Sequence, residues 1–85
     1  MTRAKTYNQS FVITPSDTVN LSDDEQRLIE AVYVGATGNI VVVRGSGATE
    51  TISGLLAGTV YPMRGIKRIN STNTTASNLR GMYQV

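Results

Sequence analysis

Apolar residues in this chain come in short runs separated by Gly, Pro, Asn, Ser and Thr, a spacing that predicts strands and turns. Ser10–Thr14 (SFVIT) is a β-prone run stopped by Pro15 and the turn-forming Ser16-Asp17-Thr18. Leu28–Val34 (LIEAVYV) carries one charge, Glu30, and Ile40–Val43 carries none, as expected of strands buried on both faces. Arg44–Ala48 supplies a Gly-rich reversal, and Thr49–Ile52 continues as a strand. Short Gly-containing loops thus predict a three-stranded meander across these runs.

Beyond it, Gly54–Gly58 reads as a loop that presents Leu55 and Leu56 to solvent. Thr59–Arg64 resumes strand-like alternation, with Pro62 fitting a sheet edge because it has no N–H to donate. Tyr61 and Met63 keep a period of two while Ile66 and Ile69 are three apart, so a β-bulge is expected at Gly65–Lys67. Asn70–Ala76 is a polar loop tip. In Asn78–Gln84, Leu79, Gly81 and Tyr83 share one face and Arg80 and Met82 the other. Leu21–Glu25 allows one helical turn, capped by Ser22 with acidic residues behind it. Residues 1–9 form a polar, flexible arm. The expected fold is all-β: a small antiparallel β-sandwich or barrel of about six short strands, one domain over residues 10–85.

Composition narrows the function. A chain of 85 residues is small for a self-sufficient core, and with neither Cys nor His it lacks disulfides and the usual zinc and haem ligands. Oligomerisation is the remaining aid to stability. The net charge of +2 is carried mainly by Arg3 and Lys5 in the arm and by Arg64, Lys67 and Arg68. That is far from the dense basic stripe of a dedicated nucleic-acid binder, and few aromatics are present to stack on bases. No run is long and apolar enough to span a bilayer, and the opening MTRAKTYNQS lacks the apolar core of a signal peptide.

Gly35-Ala36-Thr37-Gly38 invites comparison with phosphate-binding loops. Those loops place a helix N-terminus after the glycines, and a P-loop adds Lys-Ser/Thr. Here a strand follows, so the motif reads as a reversal, as does Gly45-Ser46-Gly47. Asp23-Asp24-Glu25 lacks the alternating oxygen ligands of a calcium loop and reads as a solvated turn. The Asn-x-Ser/Thr triplets at Asn8, Asn20, Asn70 and Asn73 are what a chain rich in these residues produces by chance. Without a histidine or cysteine, general-base or nucleophilic chemistry falls to turn-borne Asp, Glu, Lys and Tyr. No catalytic, cofactor or metal site is therefore expected.

The order of segments carries a resemblance. Pro15-Ser16-Asp17-Thr18 then Leu21, Arg27 leading to Tyr33-Val34-Gly35-x-x-Gly38-Asn39-Ile40, Ala57–Arg64, Lys67-Arg68-Ile69-x-x-Thr72-x-Thr74-Thr75-Ala76 and a last strand with Tyr83 resemble the small spike-base proteins encoded among the head genes of tailed bacteriophages and gene transfer agents. The likeness covers about residues 12–84. It departs at Gly65, where a β-branched residue is more typical, and in the apolar Gly54–Leu56. The resemblance implies a non-enzymatic virion component on the capsid surface, a homo-oligomer (pentamer or trimer) that decorates the major capsid protein or joins a spike or fibre to it. Arg3, Lys5, Leu55, Leu56, Arg64, Lys67 and Arg68 are the candidate subunit or shell contacts. Two alternatives differ in class: a nucleic-acid-binding β-barrel using Arg64, Lys67 and Arg68, and a sugar-binding tip using Asn70–Ala76 and Tyr83.

Overall fold

The computed structural model describes residues 8–84. Its elements are β1 (Gln9–Val12), α1 (Asp23–Leu28), β2 (Ala31–Val34), β3 (Gly38–Arg44), β4 (Thr49–Leu55), β5 (Thr59–Pro62), β6 (Ile66–Asn70) and β7 (Arg80–Tyr83). All strand pairings are antiparallel, in a four-stranded sheet ordered β1-β7-β2-β5 and a three-stranded sheet ordered β4-β3-β6. The protein is a β-sandwich. Val32, Val34 and Leu79 from one layer meet Ile40, Val42, Ile66 and Ile69 from the other, with Ile13, Ile29, Leu55 and Ala76 completing the core. Burying these side chains is the main favourable term holding the sheets together.

β3 is apolar on both faces, as its sequence requires. Ile40 and Val42 point into the sandwich. Val41 and Val43 point outward yet are buried, flanked by Thr51 and Asn70 and by Thr49 and Arg68 on the neighbouring strands.

Three expectations need correction. First, β2 and β3 do not pair, so no meander runs through them. The chain crosses between sheets at residues 35–37, and the true hairpin is β3–β4, closed by Arg44 N–H to the Ala48 carbonyl at 2.7 Å. Second, Leu55 is not exposed. β4 runs through it, and the register shifts from Ile40↔Ile52 to Gly38↔Leu55, so β4 holds one extra residue. That bulge resets the alternation and turns Leu55 inward to 2% exposure. Third, Thr59–Ile69 is two strands in different sheets, which raises the count to seven. Gly65 divides them at φ +75°, a conformation that disfavours side chains with a Cβ. The expected bulge is nevertheless present inside β6. Val43 pairs with Arg68 and Arg44 with Ile66, leaving Lys67 without an opposite residue.

The segment expected to form one turn forms the six-residue α1. Ser22 and Glu25 make a reciprocal capping box: Ser22 Oγ accepts the Glu25 N–H and Glu25 Oε2 accepts the Ser22 N–H. Acidic residues fill the first turn and Arg27 the last, as the helix dipole favours. The strap leading to α1 covers the free edge of β6: Ser16 N–H donates to the Ile69 carbonyl (2.8 Å) and Leu21 N–H to that of Lys67 (2.9 Å). Pro62 lies on the edge strand β5, where its missing N–H costs no ladder bond. Gln9, expected in the flexible N-terminal arm, instead pairs with Tyr83 in β1; residues 1–7 of that arm lie outside the described residues.

Candidate functional site

At Gly35–Gly38 the backbone is already engaged. The Gly35 and Ala36 N–H groups both donate to the Ser77 carbonyl, at 3.2 and 3.0 Å. A Cβ on Gly35 would lie 2.5 Å from Asn78 Cβ, and one on Gly38 2.5 Å from the Ala76 nitrogen. These glycines let the crossover press against residues 75–78. Two of the backbone donors a phosphate would need there, on Gly35 and Ala36, already have a partner.

The Asn70–Ala76 segment is likewise a packed strap instead of a free tip. Thr74 Oγ1 accepts the Val41 N–H, Thr75 Oγ1 accepts the Asn39 N–H, and the Thr75 and Ala76 N–H groups donate to the Asn39 carbonyl. Ala76 is buried in the core. Asp17 anchors the other end, with Oδ1 accepting the Thr72 N–H at 2.9 Å and Oδ2 accepting the Thr72 hydroxyl. The Thr72 hydroxyl first, then its N–H, hold the Asp17 carboxyl below the ordinary carboxylate range.

Arg3 and Lys5 lie outside the described residues. Of the internal cations, Arg64 pairs with Glu30 (Nη2 to Oε1, 2.6 Å), and its carbonyl accepts from Arg44 Nη1 at 2.8 Å. Arg68 sits on the outer face of β6, where Nε donates to Asn70 Oδ1 at 2.9 Å and Nη1 to Asn20 Oδ1 at 3.1 Å. Lys67 is the bulge residue and half-buried. Each of the three is thus held in a different local setting, and they do not form a continuous stripe. Leu56 is exposed at 60%, its N–H held by the Tyr61 hydroxyl at 2.7 Å.

A shallow cleft of about 260 Å³ lies between the end of α1 and Gly65, with the Glu30–Arg64 pair and Arg27 on its walls. It is smaller and more polar than typical small-molecule sites. Among the described residues, no three acidic side chains gather as a cation site.

The outer surface of the four-stranded sheet is different in kind. Registers align Val12, Arg80, Tyr33 and Val60 in one row across all four strands, and Ser10, Met82, Ala31 and Pro62 in the next. Both rows point away from the core, which Val32 and Val34 face. Val12 is 66% exposed, and Tyr33, Val60 and Met82 are half-buried. One charge, Arg80, sits in this apolar field, and its guanidinium makes no hydrogen bond or ion pair among the described residues. Sequence reasoning found Arg80 and Met82 on one face but missed this surface, because it joins four strands that are mostly remote in sequence. Comparison with protein-family models, curated proteins and solved structures gave no match.

Proposed function

We propose that the protein is a non-enzymatic structural subunit of the exterior of a tailed-phage or gene-transfer-agent capsid, where it decorates the shell or joins a spike or fibre to it. The observation that supports work by packing is the apolar outer face of the β1-β7-β2-β5 sheet, which spans every strand and carries a single charge. Contiguous apolar surface of this kind marks contact with other protein chains. The order of sequence segments supports the capsid setting. In this reading the subunits form a cyclic trimer or pentamer, with the major capsid protein on one side and a spike or fibre on the other. Synthesis takes place in the bacterial host cytoplasm, and the finished subunit rides on the virion surface. Neither a cofactor nor a small-molecule substrate is required. Nucleic-acid binding draws little support from the geometry, since Arg64 and Arg68 are tied to Glu30, Asn20 and Asn70.

The test is sedimentation of particles from cells that carry the gene, followed by image reconstruction. The protein is expected to travel with filled capsids and to appear as symmetric density on their outer surface. Recovery only as free monomer, with no density on particles, would sink the proposal.

A further inference from the structure

The two sheets expose four edge strands, and three are protected in recognisable ways. The strap of residues 16–21 covers β6, β5 carries Pro62, and β1 is only four residues long. β4 has none of these protections. It is seven residues long, its first five residues are exposed or half-buried, and it pairs on one side only, with β3.

The hairpin bond from Arg44 N–H to the Ala48 carbonyl fixes which groups face outward. Hydrogen-bonded pairs alternate along an antiparallel ladder, so Glu50 and Ile52 bond to β3. The N–H and C=O groups of Thr49 and Thr51 therefore point away from it. Neither residue has another partner among the described residues.

We propose that this edge pairs antiparallel with β4 of a second copy of the chain, with Thr51 opposite Thr51 on a two-fold axis. Charge selects this register. It sets Glu50 opposite Ile52, and Thr49 opposite Ser53 at the start of the bulge. A shift that set Thr49 opposite Thr51 would instead place Glu50 directly opposite Glu50, a like-charge pair that destabilises a sheet. Outward side chains at the junction are then Thr and Ser, which hydrogen-bond across strands. The two Ile52 side chains, each half-buried in the single copy, become diagonal neighbours and cover one another. The product is one continuous six-stranded sheet, β6-β3-β4 followed by its two-fold mate. This contact is isologous and uses a different surface from the proposed capsid role, so it stands or falls separately.

The experiment is sedimentation equilibrium on the full chain and on its Thr51→Glu and Thr51→Lys variants, each checked for unchanged far-UV circular dichroism. The substituted side chain is exposed, so both variants are expected to fold. Each variant alone should lose the β4 contact and sediment at a lower mass than the native protein. An equimolar mixture should restore the native mass, because Glu then faces Lys across the axis. A native protein that stays at the 9.1 kDa monomer mass, variants with unchanged mass, or a mixture that does not recover would each overturn the proposal.

Discussion

Neighbouring leucines show how far a single residue's role depends on its register. Leu55 sits in the core and Leu56 in solvent. Leu55→Ala should lower stability by about 2–5 kcal/mol in urea titration, whereas Leu56→Ala should stay within about 0.5 kcal/mol. Equal losses would show that the bulge in β4 is misplaced. Sequence alone could not separate the two residues, because a bulge of one residue inverts the alternation and leaves no mark in an apolar pair. Gly38 was easier to read as a constraint than as a shape. Its following strand excluded a phosphate loop, but its true requirement is contact with Ala76, far along the chain. Gly38→Val forces a side chain into backbone 2.5 Å away and should cost at least the roughly 1–3 kcal/mol of an overpacked core, seen as a lowered urea midpoint.

Elements whose signals are local were legible, and those set by long-range pairing were not. The cap of α1 is readable because Ser22 and Glu25 stand three apart. The partner of β2 is not, because a short glycine loop serves a hairpin and a crossover between sheets equally well. The strap over β6 is another long-range element, and Asp17 fastens it to Thr72. Since the folded state holds the Asp17 carboxyl below its unfolded value, this contact adds stability above the unfolded pKa. The contribution is lost as pH falls through the folded value. Asp17→Asn should therefore lower the urea midpoint at about pH 7, and the gap from the native protein should close as the pH falls below the ordinary carboxylate range. A gap that persists in acid would show that the carboxylate charge is not what matters.

At the scale of the molecule, the class of fold was readable from short alternating runs, and the composition pointed to stability shared between subunits. The surface that would share it was hidden, because Val12, Arg80, Tyr33 and Val60 become neighbours only after four strands are ordered. If that face is buried in an assembly, the melting temperature should rise with protein concentration. Tyr33→Glu, which sets a charge in the middle of the row, should weaken that dependence while leaving the circular dichroism spectrum intact. A melting temperature independent of concentration in the native protein would argue that the face stays in water. The strand order also bears on how the protein is made. β7 lies between β1 and β2, so Phe11 reaches the sheet only through Gly81, whereas Val32 also pairs with Tyr61 of β5. A ribosome has translated all the other strands before this central one emerges, and β1 must wait for it without a partner. Completion of this sheet thus waits for β7, and a nascent chain stalled before Arg80 should remain open to protease in β1 however long it is left.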